Sequence, residues 1–83
     1  MAWIEGVSVT DRDAWWLVDR LRAVGRADDT TAAYAIEAAI YSGENVDWLT
    51  PAEKDAVMLC LGQHPVTLIK LRTHLAQDHR KRE

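Results

Sequence analysis

Residues 50–62, TPAEKDAVMLCLG, contain the clearest fold signal of the chain. Thr50 is a residue type that caps helix N-termini, Pro51 is favoured at the first helical position, and Glu53 completes a capping box. Gly62 follows the last apolar residues, and glycine is the commonest residue just beyond a helix C-terminus. The stretch therefore predicts one short helix between the proline and the glycine.

Similar start and stop signals occur twice nearer the N-terminus. Thr10 and Asp13 form a second capping pattern, which predicts a first helix that ends just before Gly25. Residues 28–30, Asp-Asp-Thr, offer N-caps for a second helix that ends just before Gly43. Three capped, glycine-terminated segments in so short a chain favour a helical protein.

The C-terminal part of the chain predicts a fourth helix. It is expected to begin near Pro65–Thr67 and to run to about His79, with leucines at helical spacing on one face. These leucines are Leu68, Leu71 and Leu75. The basic end, residues 80–83, is expected to fray, because the last residues of a domain have few partners.

Two segments outside the predicted helices resemble strands. Residues 3–9 and 44–48 alternate apolar and polar side chains, so they predict a short two-stranded pairing or two extended arms. The predicted fold class is all-α, a compact bundle of four short helices with a minor pair of short strands. Residues 1–83 are predicted to form a single domain, because 83 residues are enough for one core and not for two.

Composition limits the class of protein. Apolar residues make up 48% of the chain, which is typical of a globular protein. Cys60 is the single cysteine, so no internal disulfide is expected. The N-terminus has no basic region followed by an apolar run, and no stretch approaches the ~18 apolar residues of a membrane helix. We therefore expect a cytoplasmic protein that makes no membrane contact.

No group of residues predicts catalysis, a cofactor or a metal ion. Cys60 and His64 flank the glycine that ends a helix, so a buried thiol is a better interpretation than a nucleophile with its base. The three histidines, His64, His74 and His79, are ten and five residues apart, which places no two on one helical face. We expect a non-enzymatic protein with no cofactor, no metal and no identifiable small-molecule substrate.

The second predicted helix has apolar residues on two opposite sides. One side carries alanines and isoleucines typical of a core face, and the other carries Tyr34, Ala38 and Tyr41 at helical spacing. A helix that is apolar on both sides is either central in its fold or part of an interface. We therefore predict an interface with a protein partner or with a second copy in a homodimer. The candidate interface residues are Tyr34, Ala38, Tyr41, Trp16 and Met58.

Two alternatives exist for these aromatic side chains. The N-terminal arm, with Trp3 and Ile4, can fold across the two tyrosines and make them part of the core. Trp16 has Arg12 and Arg20 four residues before and after it, so an arginine side chain can cover its ring. Either arrangement would remove exposed apolar surface from the candidate interface.

Charge is distributed unevenly along the chain. Residues 1–63 carry five basic and eleven acidic residues, a net charge of −6, whereas residues 64–83 carry five basic and two acidic residues, a net charge of +3. An acidic body with a basic end is either self-complementary or suited to meeting a polyanion.

Residues 56–77 suggest an alternative function. They resemble a helix-turn-helix, since Gly62 falls between two predicted helices and Leu68, six residues on, is placed to pack inward. The resemblance implies that the last helix binds nucleic acid through its outward face. That face consists of Thr67, Lys70, Thr73, His74, Gln77, Arg80, Lys81 and Arg82. The acidic body would repel a duplex, so a protein interaction module is the primary prediction and nucleic-acid binding the alternative.

Overall fold

The computed structural model describes residues 1–62 and 68–82. Within them the elements follow in the order β1 (Ala2–Ile4), β2 (Val7–Val9), α1 (Asp11–Val24), α2 (Ala27–Ser42), β3 (Asn45–Val46), α3 (Pro51–Leu61) and α4 (Ile69–Arg82). The expected start of the fourth helix, near Pro65–Thr67, lies outside the described residues. Helices make up most of the described chain, which confirms the predicted fold class.

Helices α1 and α3 begin where the sequence predicts. The Thr10 hydroxyl accepts a hydrogen bond from the backbone N–H of Asp13 at 3.2 Å. The Thr50 hydroxyl accepts one from the N–H of Glu53 at 3.1 Å, and the Glu53 carboxylate accepts one from the N–H of Thr50 at 2.9 Å. Gly25 follows α1 with a φ of 75°, a conformation that is costly for a residue with a Cβ. These bonds and turns satisfy backbone groups that a helix terminus otherwise leaves without partners.

Helix α2 begins earlier than predicted. Its N-cap is Arg26, and the predicted caps, residues 28–30, lie inside the first turn. The fully buried carboxylate of Asp29 accepts hydrogen bonds from the backbone N–H of Arg26 at 3.2 Å and from its guanidinium Nε at 2.8 Å. The predicted start was wrong because Asp29 reaches back to the cap from the third helical position instead of acting as the cap.

Residues 3–9 form most of a hairpin rather than one strand. Strands β1 and β2 are antiparallel, with Ile4 opposite Val7. The two residues between the strands, Glu5 and Gly6, both have positive φ, at 52° and 78°. Two positive φ values are typical of the tight turns that fit the twist of a hairpin. An acidic residue followed by glycine between β-branched residues is a local signal that could have predicted this turn.

Strand β3 completes a three-stranded sheet. It lies parallel to β1, with Trp3 opposite Asn45 and Ile4 opposite Val46, and the strand order is β2-β1-β3. The predicted pairing between the N-terminal segment and residues 44–48 therefore exists. It places β3 at one edge of the sheet, and β2 of the hairpin forms the other edge.

The helices and one face of the sheet share a buried core. Its largest fully buried apolar side chains are Ile4, Leu17, Val18, Leu21, Ile36, Val46, Val57, Leu61, Leu71 and Leu75. Helix α2 packs against α1, α3, β1 and β3, so one of its sides is central to this core. The predicted leucine stripe of the last helix is buried as expected.

Helix α4 extends beyond its predicted end at His79. The basic end that was expected to fray is helical through Arg82. The Arg82 guanidinium lies 2.9 Å from the Asp55 carboxylate of α3 and 3.1 Å from Asp78 of its own helix. The last turn of α4 therefore has ion-pair partners, one of them on a neighbouring helix. The position of this turn at the end of the sequence does not indicate them.

Candidate functional site

Opposite sides of helix α2 have opposite environments. The inner side is buried and consists of Ala32, Ala33, Ala35, Ile36 and Ala39. The outer side carries Tyr34 and Tyr41, which are 66% and 75% exposed, with the exposed Ala38 between them. We call Tyr34, Ala38 and Tyr41 the tyrosine stripe. Two large aromatic side chains therefore face solvent from a helix that is central to the core.

Helix α1 extends the surface of the tyrosine stripe. The Trp15 ring packs edge-on against Tyr41, with ring centroids 5.8 Å apart and planes at 79°. The guanidinium carbon of Arg22 lies 6.0 Å from the ring centroid of Tyr34. Arg22 also pairs with the Glu37 carboxylate, so these two charges neutralise each other beside the stripe. Each tyrosine ring of the stripe therefore has one neighbouring side chain from α1.

The N-terminal arm does not cover the tyrosine stripe. Ile4 is fully buried in the core. Trp3 is 42% exposed and, because side chains alternate along a strand, lies on the outer face of the sheet. Both tyrosines are more exposed than Trp3. For residues 1–62 and 68–82, the alternative in which this arm hides the stripe is therefore wrong.

The other two candidate interface residues, Trp16 and Met58, are less accessible. Both are partly buried and pack against the core. The guanidinium carbon of Arg20 lies 6.0 Å from the centroid of the Trp16 ring, which is the arrangement expected of a covering arginine. The contacts to the tyrosine stripe come instead from Trp15 and Arg22. These two residues are seven apart and therefore lie on one side of α1, but the sequence does not indicate that this side meets α2.

The predicted nucleic-acid face is assembled only in part. Its exposed members are Lys70, Thr73, Gln77, Arg80, Lys81 and Arg82, and His74 is partly buried. The Arg82 guanidinium is engaged by Asp55 and Asp78 and does not belong to the same open surface. Thr67 lies outside the described residues, as does the turn of the helix-turn-helix resemblance. The basic surface of α4 that is open to a partner therefore does not include the Arg82 guanidinium.

Charged side chains connect α4 to α3 and to the hairpin. The Lys54 ammonium lies 3.5 Å from the Asp78 carboxylate and 3.7 Å from that of Glu5. The hydrogen bond from Arg82 is the main reason that the pKa of Asp55 lies below its ordinary value. These pairings give Glu5, Asp55 and Asp78 a structural role.

Cys60 lies in the core and lacks the features of a nucleophile. The side chain is 4% exposed, and burial raises the pKa of the Cys60 thiol. A thiol with a raised pKa forms little of the reactive thiolate at neutral pH. His64, its candidate partner, lies outside the described residues. Across the described ranges, no group of three His, Cys, Asp or Glu side chains is placed to hold a metal ion.

Comparisons with known proteins find no matching family model, no matching curated protein and no matching solved structure. Among residues 1–62 and 68–82, no helix combines the length and the apolar character that crossing a membrane requires. Two exposed surfaces with distinct chemistry stand out in this part of the chain: the tyrosine stripe and the basic outward side of α4.

Proposed function

We propose that this chain is a small non-enzymatic protein–protein interaction module that forms a homodimer through the tyrosine stripe. The observation that carries the proposal is the exposure of Tyr34 and Tyr41, at 66% and 75%, on one side of a core helix. Tyrosine is enriched at interfaces because it offers a large apolar area with a polar tip. Each ring already contacts a side chain of α1, Arg22 beside Tyr34 and Trp15 beside Tyr41, and a ring with such a neighbour has less conformational entropy to lose on binding.

The arrangement of the stripe suits a second copy of the chain. Tyr34 lies four residues before Ala38, and Tyr41 lies three residues after it. Two α2 helices packed antiparallel around a twofold axis near Ala38 would place Tyr34 of each copy opposite Tyr41 of the other. Such an isologous contact requires one self-complementary patch. The small Ala38 side chain at its centre allows the two helices to approach closely.

Charge and area indicate how strong the dimer is. The chain has a formal net charge of −3, so two copies repel each other at long range. At the interface itself, Arg22 and Glu37 are paired with each other and add no net charge. A stable interface buries about 800 Å² per partner, about one sixth of the 5005 Å² surface. Helix α2 has 16 residues and is about 24 Å long, so it supplies less area and we expect a micromolar dissociation constant.

The proposal is tested by sedimentation equilibrium over concentrations from about 1 to about 500 µM. We expect the average mass of the wild type to rise from monomer to dimer across this range. The substitution Ala38→Glu should weaken association by about 100-fold or more, because it places two carboxylates together in an apolar contact. Such like-charge contacts cost several kcal/mol, and about 2.7 kcal/mol corresponds to 100-fold.

Ala52→Glu is the matched control. Ala52 is also an exposed helical alanine, but it lies on α3, and its replacement should leave association unchanged. Circular dichroism should show the same helical content for both variants, since both positions are exposed. A wild type that stays monomeric at the highest concentration would contradict the proposal, as would equal association of the two variants. An unfolded Ala38→Glu variant would mean that the stripe belongs to the core.

A further inference from the structure

The outward side of helix α4 contains a depression that the proposed dimer does not use. Its volume is about 350 Å³, and its lining residues are Ile69, Arg72, Thr73, Ala76, Gln77 and Arg80. The Ile69 side chain is 56% exposed there, so a large apolar group stands in water beside two arginines. A second depression, of about 410 Å³, lies between β2 and the start of α4 and shares Ile69. Together the two depressions form a surface that is larger than one side chain of a partner could cover.

The cations of this side differ in whether they have a charged partner among residues 1–62 and 68–82. In the part of the chain that the structure describes, no ion pair engages Lys70, Arg72, Arg80 or Lys81. Arg82 differs, because Asp55 and Asp78 hold it. The outward side of α4 is therefore strongly basic on a chain whose first 63 residues have a net charge of −6.

We propose that the basic outward side of α4 docks an acidic segment of a protein partner, with one large apolar side chain of that segment in the depression. Carboxylates of the segment pair with Arg72 and Arg80, whose planar guanidinium groups bind carboxylates through two hydrogen bonds. The apolar side chain covers Ile69 and Ala76 and removes the exposed isoleucine from water. The site is separate from the tyrosine stripe and does not depend on dimer formation.

Two features favour an acidic protein segment over nucleic acid. Helix α4 has no Phe, Tyr or Trp on which a base could stack. The exposed Ile69 offers nothing to a phosphate, whereas an aliphatic or aromatic side chain gains free energy by covering it.

The test is a selection from a random peptide display library against the full chain, with counter-selection against the double variant Arg72→Glu/Arg80→Glu. The enriched peptides should contain several Asp or Glu residues and one Leu, Ile or Phe. In fluorescence anisotropy, synthetic versions should bind the double variant at least about tenfold more weakly, because each reversal turns an attraction into a repulsion. Ile69→Ser should weaken binding at least about threefold through loss of apolar contact.

Two controls make the result specific. Arg12→Glu makes the same charge change at an exposed residue of α1, outside the basic side of α4, and should alter affinity by less than about threefold. Ala38→Glu should bind the peptides like the wild type, so failure of the dimer proposal leaves this one standing. If the double variant loses helical content, Arg72→Gln/Arg80→Gln replaces it with the same expected direction.

Four outcomes would overturn the proposal. The first is that the library yields no enriched peptide, and the second is that the enriched peptides show no acidic bias. The third is that peptides bind wild type, double variant and Ile69→Ser equally. The fourth is that a mixed-sequence DNA duplex binds more tightly than the peptides and is lost in the same double variant, which would assign the surface to nucleic acid.

Discussion

The cap of helix α3 is the feature whose loss can be predicted most quantitatively. Thr50→Ala removes the hydroxyl that accepts the Glu53 N–H at 3.1 Å, and it loosens the reciprocal bond, at 2.9 Å, from the Thr50 N–H to the Glu53 carboxylate. Loss of a Thr N-cap typically costs about 1 kcal/mol of unfolding free energy. Pro51 still favours the first turn, so we expect the helix to persist in a less stable protein.

The expected change in melting temperature follows from the size of the chain. Unfolding entropy is about 2.1 cal/mol/K per residue, which gives about 0.17 kcal/mol/K for 83 residues. A loss of about 1 kcal/mol therefore lowers Tm by about 6 °C. Thr50→Ser keeps the hydroxyl acceptor and should lower Tm by less than about 2 °C. Thr73→Ala, at an exposed position within α4, should also change Tm by less than about 2 °C.

The cap should also depend on pH. Partial burial by itself would raise the pKa of Glu53, but hydrogen bonds from Thr50 and Thr31 outweigh it and lower that pKa. A carboxylate whose pKa is lowered by folding stabilises the protein above its ordinary pKa, and this stabilisation is lost as the pH falls through the lowered value. The loss caused by Thr50→Ala should therefore be larger at neutral pH than in acid.

The measurement is thermal and urea unfolding followed by circular dichroism, for wild type and the three threonine variants. The reasoning would be refuted if Thr50→Ala and Thr50→Ser unfolded at the same midpoint at neutral pH. Packing against α2 and α4, rather than the cap, would then determine where this helix begins.

Two further predictions concern single titratable groups. The Arg82 hydrogen bond keeps the pKa of Asp55 below its ordinary value. Asp55 therefore stabilises the fold at any pH above the ordinary pKa, and this stabilisation is lost as the pH falls through the lowered pKa. Asp55→Asn should therefore lower the urea midpoint at neutral pH and converge with the wild type in acid, and a gap that stays constant with pH would contradict this account. Because Cys60 is buried and burial raises the pKa of its thiol, the folded chain should react with a thiol reagent at least about tenfold more slowly than the urea-unfolded chain. Equal rates would place the thiol at the surface.

Local signals predicted the helices well because each acts within one helical turn. The Thr10 and Thr50 hydroxyls meet backbone groups three residues away, and Gly25 and Gly43 take the left-handed backbone that ends a helix. The same local logic failed at the start of α2, where two acidic residues and a threonine stood next to each other. The decisive contact there is between Arg26 and the buried Asp29, and burial is a property of the fold rather than of neighbouring residues.

Periodicity and capping depend only on neighbouring residues, so the sequence predicted the helical fold class, most helix ends and the second apolar side of α2. The parallel pairing of β3 with β1 is a product of packing, since Trp3 and Asn45 meet only when the helices between them have packed. The exposure of the tyrosine stripe to solvent is a product of packing as well. An apolar stripe looks the same in a sequence whether another element covers it or not, and here the N-terminal arm packs into the core.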